Sequence, residues 1–95
     1  MEYRLTPDAE QDLRGIWSYT FENYGRLKAN NYLAQMEARF LQLCELPELG
    51  IARNEIRDNY RSLLQKQHVI FYRQHNEAIE IVRVLHARMD FLSAL

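Results

Sequence analysis

Histidine and arginine are the residue types in this chain best suited to chemistry, and they concentrate in its second half. Residues 51–95 contain all three histidines, His68, His75 and His86, and six of the ten arginines. Histidine can exchange a proton near neutral pH, and arginine binds carboxylate or phosphate groups through paired hydrogen bonds. These residues therefore suit acid–base chemistry or an anionic partner, although a solvated surface is the simpler interpretation of the charges alone.

Spacing argues against several other kinds of site. The three histidines lie in one predicted strand pair and lack any standard zinc spacing, so no metal is expected. The single Cys44 cannot form an intramolecular disulfide and has the helical spacing of a buried residue. No glycine-rich phosphate loop, readable Ser-His-Asp set or recognisable carboxylate pair is present, so no cofactor is expected.

Length and charge predict one small domain over residues 1–95. Residues 1–50 carry a net charge of −3 and residues 51–95 a net charge of +2, for a total of −1. This balance predicts no direct sequence-specific binding to nucleic acid. The chain shows no signal peptide and no apolar run of about 18 residues, so a soluble cytoplasmic protein without a membrane segment is expected.

A predicted strand hairpin positions most of the chemistry. The runs His68–Arg73 and Ala78–His86 are rich in β-branched and aromatic residues, which predicts antiparallel strands joined by a loop of three to five residues. Alternation along the second run predicts one face of Ile79, Ile81, Arg83 and Leu85, and another of Ala78, Glu80, Val82, Val84 and His86. Both faces are mainly apolar, so this strand should lie inside a sheet.

The remaining patterns predict a helical hairpin and two further strands. A strand over residues 1–5 precedes a helix over Pro7–Tyr24, and a second helix begins near Leu27 and ends before Pro47. Residues 51–58 read as irregular, and a strand follows over residues 60–64. The order β-α-α-β-β-β predicts an α+β fold, with the helical hairpin packed on one face of a small, mainly antiparallel sheet. The other face should stay open as an apolar docking surface.

Two groups of apolar residues are predicted to lie in different places, one in the core and one in the tail. Trp17 and the Met36–Phe40 pair have helical spacing, which favours the core. The tail Met89–Leu95 is predicted to form one helical turn or to dock extended beside the open sheet edge. Because it adds exposed apolar area next to Arg88, its deletion should reduce contact with a target more than contact with an inhibitor.

Five segments in order along the chain resemble one family. They are Leu5–Tyr19, Leu46–Gly50, Tyr60–Ser62, His68–Arg73 and Ile81–Asp90. Together they resemble ParE-type toxins of the RelE/ParE superfamily. The resemblance implies the toxin of a bacterial type II toxin–antitoxin system, linked to plasmid stabilisation and growth arrest. It further implies inhibition of DNA gyrase, and neutralisation in a hetero-oligomer by a ParD-like antitoxin whose C-terminal segment wraps the helical hairpin and sheet.

Two alternatives remain open beside this interpretation. The RelE branch of the superfamily cuts messenger RNA on the ribosome, which needs a general base, a general acid and cations. The candidates for those roles are Arg61, Arg83, His86 and Arg88, with Glu55. The chain has only two lysines, which argues against a nuclease, and His86 is also well suited to a hydrogen-bonded strand end. The other alternative is a non-toxic module that only binds antitoxin.

Candidate contacts with the antitoxin or gyrase come from both halves of the chain. They are Trp17, Phe21, Arg57, Arg61, Tyr72, Arg83, His86, Arg88, Met89 and Phe91. Arg83 is the most constrained of them, because a buried arginine must be paired. Its predicted partner is Asp90 or Glu55 within the chain, or a carboxylate of a partner protein.

Overall fold

A helical hairpin forms the first half of the molecule. The computed structural model describes residues 1–95, with elements β1 (Glu2–Leu5), α1 (Pro7–Tyr24), α2 (Arg26–Glu45), β2 (Ile51–Ala52), β3 (Arg61–Gln65), β4 (His68–His75), β5 (Ala78–His86) and α3 (Phe91–Ala94). Thr6 caps α1 by accepting a hydrogen bond from the amide of Ala9, and Pro7 takes the first helical position. Gly25, at φ 92°, ends α1 and starts α2, so the helices are joined by a single residue.

The sheet has five strands in the order β1-β5-β4-β3-β2. β1 runs parallel to β5, and the other neighbours are antiparallel. The predicted α+β architecture is therefore confirmed, including the position of β5 inside the sheet. The two-residue strand β2 was missed, because Ile51–Ala52 is too short to show any alternation.

The turn between β4 and β5 is tighter than predicted. β4 continues through Gln74 to His75, and only Asn76 and Glu77 link the strands, at φ 50° and 59°. Positive φ at both positions matches the twist of a two-residue hairpin turn. The prediction of a longer loop was wrong because exposed polar residues at the end of β4 still pair as a strand.

A β-bulge in β5 changes which side chains share a face. Phe71 pairs with Arg83 while the next residue, Tyr72, pairs with Ile81, so Val82 is the extra residue. The backbone carbonyl of Val82 accepts a hydrogen bond from the hydroxyl of Thr6 at 2.7 Å. The predicted strict alternation was therefore wrong beyond Ile81, since a bulge reverses the pattern from that point.

The main core lies between the helices and the sheet. It contains ten buried residues: Ala9, Met36, Phe40, Leu43, Cys44, Ile70, Tyr72, Ile79, Ile81 and Val84. Cys44 is buried as predicted, and burial raises the pKa of its thiol. The bulge explains how Val84 joins Ile79 and Ile81 on the helix side, whereas Leu85 belongs to the opposite side.

The second face of the sheet is covered by the chain itself. Val69, Phe71 and Leu85 are buried there, under a layer of Ile56, Phe91, Ala94 and Leu95. The prediction of an open docking face was wrong, because the tail folds over this face instead of lying beside the sheet edge. The tail forms a single helical turn, α3, which was one of the two predicted conformations. None of the helices is both long and apolar enough to cross a lipid bilayer.

Candidate partner-binding surfaces

The far end of the helical hairpin exposes aromatic and aliphatic side chains. The apolar stripe of α1 continues to the end of the helix, where Tyr24 is 60% exposed, and Leu27, at the start of α2, is 74% exposed. Trp17 and Phe21 stack with ring centroids 5.0 Å apart, and the indole N–H donates to Asn30 Oδ1. Trp17 is half-buried and lies outside the main core, so its predicted core position holds only in part.

Two cations are seated on this surface. The Arg26 guanidinium lies 5.6 Å from the centre of the Phe21 ring, and Lys28 Nζ lies 5.3 Å from that of Tyr24. The hairpin surface is defined here by Trp17, Phe21, Tyr24, Arg26, Leu27 and Lys28. It combines exposed apolar area with positive charge, which suits a partner segment that carries both apolar and acidic side chains.

Arg83 is held in an ion pair within the chain. Its Nε and Nη2 atoms donate to the two carboxylate oxygens of Asp12 at 2.8 and 2.9 Å. A third atom, Nη1, donates to the carbonyl of Ala94 at 3.0 Å. The hydrogen bond to Asp12 raises the pKa of Arg83. An internal salt bridge was predicted, but its partner is Asp12. Asp90 instead caps α3, and Glu55 pairs with Arg53.

Arg53 fixes the tail on the covered face of the sheet. Its guanidinium lies 5.8 Å from the centre of the Phe71 ring and 6.0 Å from that of Phe91, and the two rings meet edge to face at 4.8 Å. Arg53 also donates to Ser62 Oγ and to Glu55, and that bond lowers the pKa of Glu55. Sequence reasoning missed Arg53, because it lies in a segment without periodicity.

The predicted contact residues in the tail divide into inward and outward sets. Phe91 is half-buried against Phe71, whereas Arg88 and Met89 are exposed and Leu92 is 71% exposed. The tail surface is defined here by Arg88, Met89 and Leu92. Arg57 is also exposed, with its guanidinium 6.0 Å from the centre of the Tyr60 ring.

Tyr72 and Arg61 support a turn. The Tyr72 side chain is 1% exposed, and its hydroxyl accepts from the amide of Gly50 and donates to the carbonyl of Pro47, both at 2.8 Å. Burial raises the pKa of this phenol. Arg61 donates to the carbonyl of Gly50 at 2.8 Å. Tyr72 is therefore wrong as a candidate surface contact, because its aromatic ring belongs to the core.

His86 lies at the end of β5, directly opposite His68 on β4. Its Nδ1 atom accepts from the amide of Arg88 at 3.1 Å, the hydrogen-bonded strand end that the sequence favoured. His68 Nδ1 lies 2.7 Å from the hydroxyl of Tyr32, which donates to the carbonyl of Gln65 at 3.0 Å. Burial, and to a lesser degree the neighbouring His86, lower the pKa of His68.

The four candidate nuclease residues do not converge on one point. Arg61 is opposite Tyr72 and so shares the helix side of the sheet, whereas Arg83 is opposite Phe71 on the covered side. His86 and Arg88 lie at the end of the sheet. No three histidine, cysteine or acidic side chains come together as a metal site.

The family model described as "ParE toxin of type II toxin-antitoxin system, parDE" matches residues 3–91. The chain belongs to the ParE toxin family. This ParE toxin is 39% identical to Toxin ParE1 of Mycobacterium tuberculosis over 89 residues, covering 93% of this chain and 91% of that toxin. It is 35% identical over 88 residues to Toxin ParE1 of Caulobacter vibrioides, with the same coverage. Toxin ParE of Escherichia coli is 31% identical over 94 residues, covering 98% of this chain and 91% of that protein.

Its fold also matches a solved structure. The chain superposes on one from the "Chromosomal ParDE TA system from P. aeruginosa" with a TM-score of 0.78. The match covers 90% of this ParE toxin and 95% of the other chain, at 22% sequence identity. The arrangement of helices and sheet is therefore one that a solved structure from a ParDE system also contains.

Proposed function

We propose that this ParE toxin acts by binding DNA gyrase, and that a ParD-like antitoxin neutralises it in a hetero-oligomer. Membership of the ParE family over residues 3–91 is the observation that carries the proposal. Binding is favoured over RNA cleavage because the strongest candidate cations are already engaged. Arg83 is paired with Asp12, and Arg61 donates to the carbonyl of Gly50.

The hairpin surface is the proposed docking site for the antitoxin. Tyr24 and Leu27 of this surface are exposed in the free toxin, and removal of their apolar area from water favours a complex. Arg26 and Lys28 attract acidic side chains at the same place. An antitoxin segment that folds on binding can cover such a surface.

The tail surface is the proposed contact with gyrase. Met89 and Leu92 are exposed although they belong to a segment whose other apolar residues are packed against the sheet. Arg88 adds an exposed positive charge beside them. Apolar side chains next to an arginine are common at the centre of protein–protein contacts.

The two modes of action are separated by one induction experiment. We expect expression of the toxin alone to arrest growth, to alter plasmid supercoiling and to leave messenger RNA intact, and the purified protein should inhibit supercoiling by gyrase. Co-expression of a small reading frame beside the toxin gene should restore growth. Normal plasmid topology together with codon-positioned cuts in messages would support the ribosome-dependent nuclease instead. Antitoxin binding without any growth defect would support the non-toxic module.

A further inference from the structure

The sheet ends in a pair of histidines that lies outside the hairpin surface and the tail surface. His68 and His86 are opposite each other on β4 and β5, with ring centroids 5.5 Å apart and ring planes at 77°. His86 is exposed, so the pair can be reached from solvent. Sequence spacing concealed the pair, because strand pairing rather than helical or loop spacing brings these two residues together.

The separation of the rings fits two ligands of one metal ion. Zinc binds imidazole nitrogen at about 2.0–2.1 Å, and the centre of the ring lies about 1 Å further from the metal. Two imidazoles on a tetrahedral ion therefore have ring centres about 5 Å apart. The observed 5.5 Å differs from that value by a distance that a small side-chain rotation covers.

The ring of His68 is oriented by a hydrogen bond to Tyr32, as the rings of metal-binding histidines are oriented by neighbouring groups. The Tyr32 hydroxyl donates to the carbonyl of Gln65, so its oxygen is free to accept from His68 Nδ1–H. This arrangement leaves the Nε2 lone pair of His68 available. Metal-binding histidines commonly donate their second ring N–H to a neighbouring protein group in the same way.

We propose that His68 and His86 form a two-histidine site for a divalent transition-metal ion, with water completing the coordination. Imidazole suits zinc, nickel and copper, so affinity should rise from nickel to copper and exceed that for manganese. The bound ion would join the ends of β4 and β5, and Tyr32 would extend this link to α2. Because the ion would bind the folded chain and not the unfolded chain, it would also stabilise the fold.

Occupation of the site has a local signature at Arg88. In the free protein, His86 Nδ1 accepts from the amide of Arg88, so its proton resides on Nε2. Coordination through Nε2 moves that proton to Nδ1, and coordination through Nδ1 uses the lone pair directly. The amide of Arg88 loses its acceptor in both cases, which shifts its resonance.

The test is a titration of the full chain with zinc or nickel ions at pH 7.5, by calorimetry and by amide NMR. We expect one ion per chain, a shift of the Arg88 amide, and reversal by a chelator. His86→Ala should weaken binding about 100-fold and Tyr32→Phe about tenfold, as expected for loss of a ligand and of its supporting partner. His75→Ala, at an exposed histidine at the opposite end of β4 from His68, is the matched control and should bind like the unmodified chain.

Binding that survives His86→Ala, disappears in His75→Ala or leaves the Arg88 amide unchanged would overturn the proposal, as would absence of binding at millimolar metal. His86 is exposed and makes one exposed hydrogen bond, so His86→Ala should unfold within a few degrees of the unmodified protein without metal. Gyrase inhibition is measured separately, so its failure does not affect this result.

Discussion

Asp12 shows how one side chain can organise distant parts of this toxin. It accepts two hydrogen bonds from Arg83 and a third from the amide of Val84, at 2.9 Å. The sequence indicated that Arg83 had to be paired, because it lies in an apolar strand. It could not indicate the partner, since the β-bulge at Val82 decides which way Arg83 points.

Substitution of Asp12 should destabilise the fold. Asp12→Asn retains the shape of the side chain but leaves the Arg83 charge partly buried without a counter-charge, which should cost about 2 kcal/mol. Chemical denaturation measures this loss. Glu10→Gln is the control, because Glu10 lies 3.9 Å from Arg14 in an exposed pair worth at most about 1 kcal/mol. Equal stability of the two variants would refute the structural role of Asp12.

Gly50 and Gly15 provide a second matched pair of substitutions. A Cβ atom at Gly50 would lie 2.7 Å from the Ser62 carbonyl and from the Tyr72 hydroxyl, whereas one at Gly15 meets nothing within 4 Å. Gly50→Ala should therefore destabilise by about 1–3 kcal/mol through overpacking. Gly15→Ala should stabilise α1 by up to about 1 kcal/mol. Thermal unfolding distinguishes them, and a neutral Gly50→Ala would contradict the close packing of this turn.

At the scale of elements, local signals predicted the helices better than the sheet. Thr6, Pro7 and Gly25 mark the ends of α1, and its predicted range matches the structure. The covering of the second sheet face could not be predicted, because it depends on the tail and residues 53–57 meeting Phe71 after the strands have paired. The apolar character of Phe91 and Leu95 was visible, but the surface that they cover was not.

Substitutions in the tail should separate its two roles. Leu92→Asp changes an exposed side chain, so we expect weaker gyrase inhibition with unchanged stability. Phe91→Ala removes a ring packed on Phe71 and should destabilise by about 2 kcal/mol, less than for a fully buried phenylalanine. Supercoiling assays and thermal unfolding are the two measurements. Full inhibition by Leu92→Asp would exclude the tail surface as the gyrase contact.

Complete deletion of residues 89–95 is a less selective change. The sequence predicts that it lowers toxicity more than antitoxin binding, but the structure shows that it also uncovers Val69, Phe71 and Leu85. We therefore expect the truncated chain to lose stability as well. Equal losses of toxicity and antitoxin binding would indicate misfolding.

At the scale of the whole molecule, the exposed apolar side chains do not lie on the sheet face that the sequence predicted. The sequence predicted an uncovered sheet face, whereas exposed apolar side chains lie at the hairpin end, with Tyr24 and Leu27, on the tail, and near β2 and β3, with Ile51 and Leu64. Helical periodicity marked Tyr24 as part of the α1 stripe. It could not show that Tyr24 stays exposed in the folded chain.

The hairpin surface can be tested with two tyrosines on the same helix. Tyr24→Ala should weaken binding of the antitoxin about tenfold or more, as for an aromatic residue within an interface. Tyr19→Ala is the control, because Tyr19 is similarly exposed but lies outside the Trp17, Phe21 and Tyr24 stripe. Co-purification and calorimetry measure the difference. Equal effects of the two substitutions would argue against the hairpin surface.

The parallel pairing of β1 with β5 has a consequence for synthesis of the toxin. Glu2 pairs with Ala78 and Leu5 pairs with Ile81. The first strand to be synthesised therefore cannot pair until the last strand has been synthesised. Contacts this distant in the chain form late in folding. A ribosome must therefore complete nearly all of the polypeptide before β1 can pair with β5, so the proposed antitoxin would meet a toxin whose sheet has only just been completed.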